Sequence, residues 1–163
     1  MRRNKVIGIA LFIALLLVAG YLYDKYRIAP GIVFNNLQLE DLNGQAINLD
    51  SLKDKKLLLN FFKTWCGPCV REMPALEATA NALGDNNYVL LCISDESLER
   101  LRSFSTRTGL HLHILHSTKP FPELKIFTFP TSYVLNLKRE IAFKKVGDVD
   151  WTDTQVIQML KGI

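Results

Sequence analysis

One stretch constrains this chain more than any other: the apolar run Lys56 to Phe62 (KLLLNFF), which leads directly into Trp65-Cys66-Gly67-Pro68-Cys69. Consecutive rather than alternating apolar residues suit a strand buried on both faces, which requires cover on each side of its sheet. The cysteines fall at the carboxyl end of that strand. The residues after them predict a helix running to about Leu83 and ending at Gly84.

The same alternation continues along the chain. Val33 to Leu39 and Ala46 to Leu49 carry alternating apolar residues around Asn43-Gly44, a hairpin signal, and Asp50 to Lys53 suits a short helical turn. Tyr88 to Ile93 reads as a second buried strand, Glu96 to Thr108 as a helix stopped by Gly109, and Leu112 to Leu115 as a short strand. A brief helix is expected over Pro122 to Phe127, a hairpin from Thr131 to Leu137 and Glu140 to Val146, and a last amphipathic helix over Asp153 to Lys161. Strands alternating with helices, then a closing hairpin and helix, imply an α/β fold with a mixed central sheet and helices on both faces.

Residues Val6 to Tyr23 (VIGIALFIALLLVAGYLY) are apolar on every face, and about 17–25 such residues cross a bilayer as a helix. Arg2, Arg3 and Lys5 precede them, which favours a cytoplasmic N-terminus, and Tyr21, Tyr23 and Tyr26 suit the far interface. The expected organisation is a basic tip over 1–5, a transmembrane signal anchor over 6–23, a linker over 24–31 and one soluble domain over 32–163. A signal peptide cleaved near Val18-Ala19-Gly20 is the other reading of the segment; both export the domain. The net charge of +4 in 163 residues partly reflects that basic tip. Elsewhere Lys and Arg alternate with Asp and Glu, without the basic stripe of a nucleic-acid surface.

A Cys-x-x-Cys can be half a metal site, a structural staple or a redox pair. Zinc takes about four ligands, and beyond the pair the chain offers only Cys92 and a distant trio, His111, His113 and His116. A staple closing so small a loop adds little stability. Redox use fits best, without metal or cofactor. At a helix N-terminus, unsatisfied N–H groups and the helix dipole favour an anion at Cys66, and such placement lowers a thiol pKa from about 8.5 into the range of roughly 3.5–7.5. Cys69 sits one turn on, placed to attack a mixed disulfide on Cys66. Pro68 presets helical φ without losing a needed hydrogen bond. Trp65 suits either an apolar surface for a partner chain or the core. Cys92, inside VLLCIS, reads as a buried thiol.

The segment LLLNFFKTWCGPCVREMPAL resembles the active site of thioredoxin-like proteins, most closely the TlpA/ResA-like branch of membrane-anchored thiol–disulfide oxidoreductases, which includes cytochrome c maturation proteins. The resemblance extends from about Val33 to the C-terminus and takes in FNNLQLEDLNGQAINLDSLKDK and TFPTSYVLNLKREIAFKKVG. It implies a thioredoxin-like fold with an added N-terminal hairpin. Pro130 then matches the family's cis-proline, and Phe129-Pro130-Thr131 is the loop whose backbone holds an extended substrate segment beside Trp65, Gly67 and Pro68. Glu72 matches a glutamate that tunes thiol acidity and serves proton transfer. Asn60 stands where cytoplasmic thioredoxin has a buried aspartate, and Pro74 matches a structural helix proline.

The function so implied is extracytoplasmic reduction of protein disulfides by dithiol–disulfide exchange, with Cys66, Cys69 and Glu72 as catalytic residues. Apocytochrome c is one compatible substrate, and a membrane thiol donor would restore the reduced pair. Thioredoxin-type pairs sit near about −270 mV and strong oxidants near about −120 mV; Gly67-Pro68 is the thioredoxin dipeptide, which favours a reductant over a disulfide-forming oxidase. Other readings are a thiol-dependent peroxidase, whose usual site is Thr-x-x-Cys, and a non-catalytic docking or chaperone module.

Overall fold

The computed structural model describes residues 2–25, 29, 31–32 and 34–163; the linker positions Tyr26 to Ile28 and Pro30, and Val33 at the start of the expected hairpin, lie outside them. Helix α1 spans Arg2–Lys25. Its described side chains are Lys5 and residues 7–21, and Ile9, Leu11, Leu15 and Leu17 among them are exposed. Among the described residues no helix is long and apolar enough to cross a membrane.

The rest forms a six-stranded sheet in the order β1-β4-β3-β2-β5-β6. Its strands are β1 (Leu39–Glu40), β2 (Lys56–Phe61), β3 (Tyr88–Ser94), β4 (Ile114–Ser117), β5 (Thr131–Leu135) and β6 (Ile141–Val146). Strands β2, β3 and β4 run parallel, while β5 and β6 extend the sheet antiparallel on one side and β1 closes the other edge against β4. Helices α2 (Gly67–Ala82), α3 (Leu98–Thr108) and α4 (Thr154–Lys161) complete the domain.

The apolar run behaves as its composition requires. On β2, Leu58 packs on one face with Phe62, Met73, Leu76 and Phe104, all buried. Leu57, Leu59 and Phe61 pack on the other with Leu91, Phe121 and Tyr133. Both faces are covered, so the central strand and its helices are fixed in place by burial on two sides.

The N-terminal hairpin is shorter than expected. Among its described residues only Leu39–Glu40 is strand, joined to Ala46 by a single bridge, and Phe34–Asn36 and Leu49–Leu52 are 3₁₀ turns. Asp41 accounts for this, because its carboxylate takes the backbone N–H groups of Asn43 and Gln45 at 2.8 and 2.9 Å in place of a strand partner. Gly44 completes the turn at φ +81°. Strand β4 starts at Ile114 rather than Leu112, because pairing with β3 begins at Cys92 opposite Ile114. His111 and His113 therefore precede the strand. The expected helix over Pro122 to Phe127 is the 3₁₀ turn Phe121–Leu124.

Candidate active site

Strand β2 delivers the chain to the cysteines at the end of the sheet. Cys66 is the N-cap of α2, with extended φ −78° and ψ 103°, and its carbonyl accepts the first helical hydrogen bond from Val70 N at 3.1 Å. Its sulfur accepts from the backbone N–H of Cys69 at 3.3 Å, in the way a serine or aspartate oxygen caps a helix. Cys66 and Cys69 are joined as a disulfide with Cα atoms 5.3 Å apart. Cys66 retains 6% exposure while Cys69 has none. That asymmetry makes Cys66 the sulfur an incoming group can reach. Gly67 and Pro68 are exposed, leaving the approach open.

Two acidic residues hold the turn before the cysteines. Glu96 accepts from Thr64 N at 2.6 Å and from Thr64 Oγ1 at 2.9 Å, and also pairs with Arg100 Nη1 at 3.3 Å. Asp95 pairs with Lys63 and accepts from Phe121 N at 2.8 Å. Lys63 Nζ lies over the rings of Phe121 and Phe129, 5.1 and 5.6 Å from their centroids, a favourable seat for a cation.

Phe129 meets Trp65 edge-on at 6.4 Å, which brings the Phe129-Pro130-Thr131 loop beside the cysteine turn. The Phe129–Pro130 bond is cis, and the Pro130 carbonyl accepts from Gly147 N at 2.8 Å. Thr131 is buried and donates to the Thr128 carbonyl at 2.7 Å. Trp65 is 68% exposed and Phe127 71%. Trp65 therefore lies at the surface and not in the core.

Glu72 sits one turn beyond Cys69 on α2, nearly buried at 6% exposure. Asn60 Nδ2 donates to its Oε1 at 2.7 Å, and Val149 N and Trp151 Nε1 each donate to its Oε2 at 3.3 Å. Burial pushes its pKa above the ordinary value; the three hydrogen bonds oppose that push and the negative charge of Asp148 adds to it. A solvent-facing cleft of about 260 Å³ reaches Glu72 between Pro68, Arg71, Asp148 and Trp151. Cys92 is fully buried, and both that burial and the neighbouring Glu72 raise its thiol pKa. Pro74 lies inside α2. Among the described residues, no group of three or more His, Cys, Asp or Glu could hold a metal ion.

Sequence reasoning placed the cysteine turn, Glu72 and the proline loop, and the structure brings them to one end of the sheet. It missed Glu96 and Asp95 as anchors of the turn, and Val149 and Trp151 as partners of Glu72. Trp151 carried a usable signal: it is one of two tryptophans, and a tryptophan in a core needs an acceptor for its indole N–H.

A family model described as the AhpC/TSA family matches residues 30–143. Thioredoxin-like protein YneN of Bacillus subtilis (strain 168) is 32% identical over 148 residues, covering 83% of this chain and 87% of the relative. Thiol-disulfide oxidoreductase ResA of Bacillus cereus is 27% identical over 135 residues, covering 81% of this chain and 78% of that protein. Among solved structures, a thioredoxin-family thiol:disulfide interchange protein from Chlorobium tepidum superposes with a TM-score of 0.65 at 23% identity, covering 83% of this chain and 99% of that one. The fold is thioredoxin-like.

Proposed function

The chain belongs to the AhpC/TSA family, and from that premise we propose that it is a thiol–disulfide oxidoreductase whose reacting groups are Cys66 and Cys69. The observation that carries this reading is the Cys69 N–H aimed at the Cys66 sulfur at the start of α2, an arrangement that stabilises a thiolate.

The reduced protein acts first through the Cys66 thiolate, which attacks one sulfur of a substrate disulfide. A Cys66–substrate disulfide forms and the other substrate sulfur leaves as a thiolate. Cys69 then loses its proton, with the Glu72 carboxylate as acceptor, and attacks the Cys66 sulfur. The second substrate thiolate leaves and the Cys66–Cys69 disulfide remains. The substrate gains two electrons and the protein loses two, to be restored by a thiol donor. Trp65 and Phe129 supply apolar contact to the substrate chain. Gly67 and Pro68, with the backbone of the Phe129-Pro130-Thr131 loop, hold the extended substrate segment.

In the fuller reading the chain has a basic tip (1–5), a membrane anchor (6–23), a linker (24–31) and a catalytic domain (32–163) outside the cytoplasm. The exposed apolar side chains of α1 support the anchor. The substrate class is an oxidised protein cysteine pair, apocytochrome c among them, and the direction is reduction, as the Gly67-Pro68 dipeptide favours. A peroxidase reading finds less support, because Thr64 directs both its N–H and its hydroxyl to Glu96 rather than toward a cysteine.

Trapping tests the reading. With Cys69→Ser, a mixed disulfide on Cys66 should accumulate and mass spectrometry should identify a protein cysteine peptide on it. Insulin reduction that continues undiminished in a Cys66→Ser, Cys69→Ser double variant refutes the catalytic assignment. A potential near that of the strong oxidants refutes the direction, and release of the chain from membranes by alkaline carbonate refutes the anchor.

A further inference from the structure

Asn60 lies on β2 with no exposure to solvent. Its Nδ2 donates to Glu72 Oε1 at 2.7 Å and to Ser132 Oγ on β5 at 3.1 Å. Its Oδ1 is buried and accepts no hydrogen bond. Glu72 is surrounded in a complementary way: Asn60, Val149 and Trp151 all donate to it. That set suits a carboxylate, and none of the three is oriented to accept a carboxylic proton, which would otherwise depend on water from the cleft. A proton on Oε2 would face two N–H groups that can only donate. A proton on Oε1 would face the Asn60 amide, whose oxygen and nitrogen exchange places on a half-turn at little steric cost.

We propose that Asn60 is a positioning residue for proton transfer at Glu72: its side-chain amide donates to the carboxylate and turns over to accept the proton of the neutral acid, while the Ser132 hydroxyl changes from acceptor to donor. This rests on the reading of Glu72 as the proton acceptor given above. No covalent bond between heavy atoms changes; one proton arrives at Oε1 and one amide rotates. Each orientation leaves one pole of the amide without a partner, so the charge on Glu72 decides between them. The charged and titratable groups around Glu72 are Arg71 and, in the reduced protein, the Cys69 thiol on its own helix, Asp148 and Asp150 on the segment between β6 and α4, and Cys92 on β3, which pairs with Asn60 in register. Unlike these, Asn60 is placed both to donate to the carboxylate and, once turned, to accept its proton.

Glu72→Gln provides a fixed copy of the neutral acid. In that variant Val149 N and Trp151 Nε1 must find the oxygen of the introduced amide, so its NH₂ must face Asn60 and hold the Asn60 amide in the turned orientation. The test is NMR on the reduced full chain in detergent micelles, with labelled Glu Cδ and Asn Nδ2. In the unsubstituted protein the Asn60 Nδ2 signal should move with pH at the Glu72 midpoint. In Glu72→Gln it should stay, at every pH, where the unsubstituted protein places it at low pH. In Asn60→Leu the Glu72 midpoint should rise, by less than about one pH unit, since the bond lost to the charged form is stronger than the one lost to the neutral acid. An Asn60 signal that ignores the Glu72 titration overturns the proposal, and that measurement needs no variant to fold. Exchange kinetics separate the two readings. If Glu72→Gln leaves the pH profile of disulfide exchange unchanged, the role of Glu72 falls, whether or not Asn60 follows its charge.

Discussion

The backbone N–H of Cys69 points at the sulfur of Cys66 across 3.3 Å. A sulfur in that position satisfies one of the donors that every helix leaves open at its start. The geometry ties reactivity to fold, because the helix start is held by β2 below it and by the Thr64 turn before it.

That turn depends on Glu96. Glu96→Ala removes the acceptor of both Thr64 N and Thr64 Oγ1, and stranding partly buried donors costs about 1–3 kcal/mol. Urea denaturation should show a loss in that range, and Glu96→Gln, which keeps one acceptor oxygen, should lose less.

Glu72 should make stability depend on pH. Burial raises its pKa in the folded protein above the ordinary 4.5. From that value up to the folded value, the native state holds a proton that the unfolded chain has released. Stability therefore falls as pH rises through the window. Urea titrations of the oxidised protein across it should show this decline, and Glu72→Gln should flatten it.

Trp65 separates binding from folding. Because its ring is 68% exposed, Trp65→Ala should change stability by no more than about 0.5 kcal/mol. Lost contact with a substrate chain should lower kcat/KM for a protein disulfide about tenfold, or about 1.4 kcal/mol. A small aromatic disulfide should react as before. Stopped-flow kinetics with both substrates checks this.

Much of the fold was legible where local signals agreed. The run KLLLNFF has no polar face to offer solvent, and Gly109 stops α3 in the left-handed region at φ +64°. The N-terminal hairpin was over-read, because an Asp41 side chain that occupies turn N–H groups cannot be told from sequence from one left to solvent. The register of β4 depends on β3, which hydropathy alone does not reveal. At the site, the cysteines stood out because their chemistry is local, and Phe129-Pro130 stood out through the family resemblance alone. The partners of Glu72 did not: Val149 and Trp151 reach it from 77 and 79 residues away, and no short motif encodes such a contact.

In the proposed chemistry the helix start holds the reduced Cys66 sulfur as an anion. The most direct measurement is the pH dependence of iodoacetamide alkylation at Cys66 in the reduced protein, followed by mass spectrometry. The midpoint should fall below the free-thiol value of about 8.5, within roughly 3.5–7.5. A midpoint at or above the free-thiol value would contradict it.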